Sequence, residues 1–347
     1  MNDLKKVTVI IPAYNEEAII EDTAHKVRQA LDGMSNKYPW DLVLVDDGSK
    51  DKTGAIMDEL AFADSNISVV HHKTNYGIGK ALKTGFKKAS GDIIITLDAD
   101  LSYSIEHIEK LLRKMEETDA DIVSASCYTP GGRVENVPFK RALISRIGNM
   151  LLTRAMGKNI TVATCMVMAC KRDSIKSLDL ISDDKDVTPE MLYKATKLGL
   201  RIEEIPATLR WSNIKLDKAK KKKRESKFRL KKTTITHLFI LFWSRPFVLF
   251  LIPGITLFIL GLFETGLILY RFIAFINTHR MNLSFNQSMI LAARDVISKF
   301  TPSLILTGAL LVLGIQFISL GFLAIQAQRN FNELYHLIHT SIQKKNE

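Results

Sequence analysis

Asp98 and Asp100 stand two residues apart at the end of an apolar, β-branched run in residues 91–103, GDIIITLDADLSY. In an extended segment residues i and i+2 face the same side, so both carboxylates leave the strand tip together. Such a pair suits a hard divalent cation, which one or two carboxylates hold and substrate phosphates complete. An isolated D-x-D is also compatible with a solvated loop, and two further clusters weigh against that. Residues 12–16, PAYNE, and residues 46–49, DDGS, each follow an apolar run of their own. If the three strands are neighbours, their C-terminal tips line one crevice with acids, a tyrosine and hydrogen-bonding loops. Ligands of open α/β sheets bind at that end. Asp46 could alternatively accept hydrogen bonds from a base or a ribose.

Other chemistry is less supported. Residues 75–80, NYGIGK, resemble a phosphate loop, but Ala81 stands where a Walker motif needs Ser or Thr. The glycines there are expected to permit a tight helix entry, with Lys80 a phosphate contact at most. His71 and His72 lack a third ligand at metal spacing and are expected at the surface. Ser49 has no His partner, so a hydrolase triad has no support. Cys127, Cys165 and Cys170 show neither disulfide nor zinc spacing and read as packing residues in a reducing compartment.

The elements that position these clusters alternate. Strands are expected at residues 7–11, 41–45, 67–71, 93–97, 121–126, 162–169 and 201–206. Pro12 is expected to end the first strand, and Asn15 to cap a helix that opens with Glu16 and Glu17. Further helices are expected at residues 78–88, 106–117, 139–156 (with apolar residues at helical spacing) and 190–198, with a loop at 129–132. This order predicts an α/β fold with a largely parallel sheet covered on both faces.

The 347 residues carry a net charge of +11, and residues 215–232 hold eleven Lys/Arg against two acids. Nucleic acid would be the default partner of such a tract. The apolar stretches that follow displace it. Residues 246–270 and 303–326 each reach the ~20 residues a bilayer core requires. The charged start, MNDLKK, leads directly into a strand, with no signal-peptide pattern. The connection 271–302 has only Arg271, Arg280, Arg294 and Lys299 as cations. The positive-inside rule therefore puts the N-terminal domain and the tail in the cytoplasm. The expected organisation is a catalytic domain at 1–211 and a basic juxtamembrane segment at 212–245. Spans at 246–270 and 303–326 then flank an extracytoplasmic loop at 271–302, with a cytoplasmic tail at 327–347. The basic tract is expected on anionic membrane lipids.

Five ordered motifs, VTVIIPAYNEE, DLVLVDDGSKDKT, NYGIGKALKTGF, GDIIITLDADLS and GRVENVPFKRALISR, together resemble family 2 inverting glycosyltransferases. More narrowly they resemble dolichol-phosphate mannosyltransferase and its polyprenyl-phosphate relatives. The resemblance covers roughly residues 7–232. It implies a Rossmann-like, glycosyltransferase A-type domain that binds a nucleotide-diphosphate sugar, followed by a membrane hairpin. It implies one sugar transferred to a polyprenyl phosphate (dolichyl or undecaprenyl), with Mg²⁺ or Mn²⁺ as cofactor. Carried over by residue, it places Pro12, Tyr14, Glu16 and Asp46 at the nucleotide. Asp98, Ala99 and Asp100 fall around the diphosphate and metal, with Asp100 the direct ligand. Arg141 matches a phosphate-contacting arginine. Arg210, with Ser226 and Lys227, matches an element that closes over the donor.

The motifs also depart from the family pattern. Ser102 replaces a common Gln, and Cys127 replaces an arginine whose acceptor-phosphate contact Arg133 could restore. Residues 162–166 stand where D-x-x-SGF is usual, and the basic tract is expanded. A phosphate acceptor agrees with the chemistry, because its second pKa near ~6 leaves it mostly dianionic and in no need of a base. Two rivals remain: a processive polysaccharide synthase, which would want a Gln at Ala207, and a catalytically silent membrane partner. A homo-oligomer is compatible with all three.

Overall fold

The computed structural model describes residues 4–156, 160–211, 250–279 and 284–346. It forms two compact units, Met1–Leu238 and Phe239–Glu347. The first is α/β, as expected. Its strands are β1 (Val7–Ala13), β2 (Trp40–Asp46), β3 (Ile67–His71), β4 (Ile93–Thr96), β5 (Ile122–Ser126), β6 (Arg133–Glu135), β7 (Met168–Lys171), β8 (Ile202–Pro206) and β9 (Thr208–Arg210). Its helices are α1 (Ile20–Asp32), α2 (Thr53–Ala63), α3 (Ile78–Lys88), α4 (His107–Thr118), α5 (Phe139–Met156), α6 (Arg172–Lys176) and α7 (Val187–Lys197).

Seven strands make one sheet in the order β3-β2-β1-β4-β7-β5-β8, and β6 pairs with β9 alone. All contacts among β3, β2, β1 and β4 are parallel, while β7 runs antiparallel to both β4 and β5. β1 and β4 are buried along their whole length, which explains their unbroken apolar sequence.

Three local expectations need correction. Pro12 does not end β1, which runs on to pair Pro12 with Val45 and Ala13 with Asp46. Ile10 accepts from the Leu97 N–H on the β4 side, so Pro12, two residues on, turns its missing N–H to where β4 has ended. Asn15 is not an N-cap: it sits at φ +56°, and α1 begins five residues later at Ile20. Of residues 162–169, only Met168 and Ala169 are strand, because the segment before them is held by side chains instead of a ladder. Glu204 accepts from the Thr161 and Val162 N–H groups, and Asn149 Oδ1 from those of Ala163 and Thr164.

α5 spans the expected residues with its apolar side reversed. Phe139, Leu143, Ile144, Ile147, Met150 and Leu151 are exposed, whereas Asn149 and Thr153 are buried with Leu152 and Met156.

The second unit contains α8 (Ile252–His279) and α9 (Phe285–Asn346). Both are long and apolar enough to cross a membrane, and only 11% of each most apolar stretch is buried. Helix therefore covers much of 271–302, where a loop was expected. Phe300 breaks the helical dihedrals of α9 just before Pro302, as a proline inside a helix requires. The two helices meet at glycines. A Cβ on Gly254, Gly261 or Gly314 would lie under 3.0 Å from the facing helix, at Ile318, Leu311 and Phe258 respectively.

Candidate active site

Because β2, β1 and β4 are consecutive in the sheet, PAYNE, DDGS and DAD do end at one rim. Asp46 closes β2 opposite Ala13, and Asp98 follows β4 by one residue after Leu97. The loops of this rim are stitched together. The Asn15 N–H donates to Ser49 Oγ, and Asn15 Oδ1 accepts from the Lys50 N–H. The Glu16 N–H donates to Thr53 Oγ1. Pro12 is buried, Tyr14 is exposed and Glu16 is half-buried, so two of these three reach solvent from the rim.

The DDGS acids divide the work. Asp47 is buried and accepts from the N–H groups of Tyr76 and Gly77, with the His72 ring 2.8 Å away. It shapes the 75–80 loop, in which Gly77 takes φ +102°. Asp46 points to the other side. Its Oδ1 accepts from the Ser49 N–H, and its Oδ2 lies 3.0 Å from His71 Nδ1. Burial acts to raise the Asp46 pKa, yet the hydrogen bonds from Ser49 and His71 outweigh it and hold the carboxyl below its ordinary range. The expectation of two surface histidines holds for His71, which is exposed and bridges Asp46 and Asp58, and is corrected for His72, whose side chain is only 8% exposed between Asp47 and Thr84. The His-His pair directly after an apolar run was the available signal, since adjacent residues at a strand end point to opposite sides.

At the other tip, Asp98 and Asp100 are half-buried and Ala99 is buried, its carbonyl accepting from Thr23 Oγ1. Asp100 Oδ1 accepts from both the N–H and the hydroxyl of Ser102. Ser102 therefore orients the carboxylate that it follows. Burial pushes the Cys165 thiol up, helped by the negative charge of Asp98, and all three cysteines are free and buried.

The small sheet brings cations to this tip. Arg210 donates its N–H to the Ser102 carbonyl, and Tyr103 bridges to Leu209. The Arg210 guanidinium pairs with Glu135 at 2.7 Å, and Arg141 stacks on Trp211 at 5.3 Å. Arg133, which is exposed, lies two residues before Glu135 on β6. Sequence reading singled out Arg210, Arg141 and Arg133 but missed β6, β9 and the carboxylate of Glu135 that joins them. Lys227, Ser226 and the basic tract 215–232 lie outside the described residues.

No group of three or more His, Cys, Asp or Glu is arranged to hold a metal among the described residues. Asp98 and Asp100 supply two oxygen donors of the type that Mg²⁺ and Mn²⁺ prefer. This fits an ion bound in part by the protein and completed by substrate phosphates.

Loops at the switch point of an α/β sheet are where such folds bind their ligands, and here they carry the acids of β2 and β4. The sequence profile described as Glycosyl transferase family 2 matches residues 8–179. Undecaprenyl-phosphate mannosyltransferase of Micrococcus luteus is 32% identical over 209 residues, covering 58% of this chain and 83% of that protein. Glycosyltransferase AglD of Haloferax volcanii is 30% identical over 203 residues, covering 58% of this chain but only 32% of that protein. A crystal structure of glucosyl-3-phosphoglycerate synthase from Mycobacterium tuberculosis, in complex with Mn²⁺, uridine-diphosphate and glucosyl-3-phosphoglycerate, aligns at a TM-score of 0.45 and 22% identity. That alignment covers 59% of this chain and 70% of that one. The chain belongs to glycosyl transferase family 2, and its α/β unit is the A-type domain that the sequence motifs imply.

Proposed function

We propose that this chain is a membrane-attached inverting transferase that moves one sugar from a nucleotide-diphosphate sugar to a polyprenyl phosphate. The observation that carries this reading is the junction at Ser102, which orients Asp100 and accepts the N–H of Arg210. Acids for a metal–diphosphate and cations for phosphate are thereby tied to one turn.

In this reading Pro12, Tyr14, Glu16 and Asp46 receive the nucleotide. Asp98 and Asp100 would hold Mg²⁺ or Mn²⁺, which when bound neutralises charge on the leaving diphosphate. Ala99 keeps the backbone between them close to Thr23. Arg141, Arg133 and Lys227 take the acceptor phosphate, and Arg210 and Lys227 the donor. The acceptor phosphate is mostly dianionic at neutral pH, so its oxygen attacks the anomeric carbon without a protein base as the diphosphate departs. Attack opposite the leaving group inverts the configuration.

Membrane attachment draws support from α8 and α9, and also from α5. That helix carries Lys140, Arg141, Arg146 and Arg154 with no acid, beside six exposed large apolar residues. Such a face suits an anionic headgroup layer. The name of the Micrococcus luteus relative supports a polyprenyl-phosphate acceptor. A catalytic domain in the cytoplasm follows from the charge asymmetry about the spans.

The test is incubation of the full chain in liposomes with radiolabelled nucleotide sugars and a polyprenyl phosphate. Label in the lipid phase, with inverted anomeric configuration, is expected. Label in a polymer would favour a polysaccharide synthase. No incorporation from any donor would favour a silent partner.

A further inference from the structure

His71 has both ring nitrogens facing carboxylates, with Nδ1 3.0 Å from Asp46 Oδ2 and Nε2 2.9 Å from Asp58 Oδ1. A neutral imidazole has one N–H and one lone pair, so it can satisfy only one of the two. The doubly protonated ring satisfies both. The chain also makes room for this arrangement at Gly54 in the first turn of α2. A Cβ there would lie 2.9 Å from Asp46 Oδ2 and 3.4 Å from the His71 ring. Asp46 has little freedom once Ser49 and His71 hold its two oxygens, and only 8% of its side chain is exposed.

We propose that His71, clamped between Asp46 and Asp58, is a positioning residue that fixes the Asp46 carboxylate for the donor's nucleoside and weakens nucleotide binding when it deprotonates. This rests on the reading of Asp46 as a donor-binding residue and adds the group that sets its orientation. Asp46 would accept N–H or O–H donors of a base or ribose, through lone pairs that Ser49 and His71 leave available. Loss of one His71 proton places a ring lone pair against a carboxylate, and the clamp opens on that side.

The charged groups facing His71 are Asp46 from β2 and Asp58 from α2. Gly54 presents no side chain, and the adjacent His72 turns away to Asp47 and Thr84. Among the described residues β3 is the edge of the sheet, with no strand paired on its other side. Burial lowers the His71 pKa, but the hydrogen bonds that the ring donates to Asp46 and Asp58 outweigh it and leave it above its ordinary value. The clamp therefore favours the protonated ring over a free imidazole.

The experiment is calorimetric titration of the full chain with UDP and with GDP between pH 6 and 9. The wild type should bind one of them tightly at low pH and lose affinity as pH rises through the His71 pKa. His71→Ala should weaken binding about tenfold at pH 6, the order of one charge-assisted hydrogen bond, and flatten the profile. His71→Gln should recover part of that affinity with no pH step. Asp58→Asn, at a position 65% exposed, should keep the step but move it to lower pH, since one partner that favours the charged ring is gone. If His71→Ala proves unstable, the Asp58→Asn profile decides alone. Unchanged affinity and an unchanged profile in the variants would overturn the proposal and leave the donor crevice standing. A wild type that binds neither nucleotide would remove the donor reading itself, and this proposal with it.

Discussion

Asp46 and Asp47 are neighbours in sequence and almost equally buried, yet one faces the crevice rim and the other holds a loop. Strand alternation forces that difference. Asp47→Ala would strand the N–H groups of Tyr76 and Gly77 and the ring of His72. A loss of about 2–4 kcal/mol is expected by chemical denaturation, because buried donors without partners are costly. Asp100→Asn keeps the shape of the side chain but removes a carboxylate proposed to hold the metal. Turnover should fall by about 10² or more while the melting temperature stays within a few degrees, as follows from losing charge stabilisation at the leaving group. Full activity of this variant in excess chelator would sink the metal assignment. Glu190 makes a pH-dependent contribution of another kind. Burial raises its pKa, but Lys194 and the N–H groups of Ile181 and Ser182 outweigh that, so the folded pKa is depressed. Its stabilisation is therefore complete above the ordinary glutamate range and is lost as pH falls through the depressed value. The acid limb of a melting-temperature profile should flatten in Glu190→Gln.

At the scale of elements, long periodic segments were legible and short or inverted ones were not. β3, α3 and α5 have the bounds that hydrophobic spacing predicts, and the acid pair after β4 is visible at once from its interrupted apolar run. β6 and β9 are three residues each, too short for alternation to register, so the junction that brings Arg210 to Ser102 was hidden. In α5 the spacing gave the helix but not the direction its apolar side faces. Periodicity identifies an apolar face but does not say what covers it. The buried side of α5 is instead specified by Asn149, whose carboxamide oxygen accepts from two backbone N–H groups and the Thr164 hydroxyl. Asn149→Leu should destabilise the domain by about 2–3 kcal/mol and increase hydrogen exchange at Ala163 and Thr164. In the second unit, the contact of α8 with α9 depends on missing side chains. Gly261→Leu would collide with Leu311, so cross-linking between cysteines placed on the two helices should drop against wild type.

At the scale of the whole molecule, exposed apolar side chains occur on α5 as well as on α8 and α9. Ile144→Ser with Ile147→Ser should leave the melting temperature unchanged, since both side chains are already exposed. The pair should weaken association with anionic vesicles measured by flotation. Replacing Lys220, Lys221, Lys222 and Lys223 with Gln should weaken it too, and that loss alone should shrink in high salt, where exposed charges are screened within ~8–10 Å. Unchanged flotation in both variants would take the lipid role from both segments.

The antiparallel strand β7 has a consequence for how the chain is made. Among the described residues β5 pairs only with β7 and β8, so no strand pairing joins β5 to the first four strands until residues 168–171 arrive. On the ribosome, β3-β2-β1-β4 can assemble with every acid of the crevice in place while one flank of β4 still lacks its neighbour. Some seventy residues separate β4 from the strand that closes it. An unpaired edge next to the DAD turn is a template for another nascent chain. Chains arrested just short of Met168 should therefore aggregate through β4, and chains released beyond Pro206 should not.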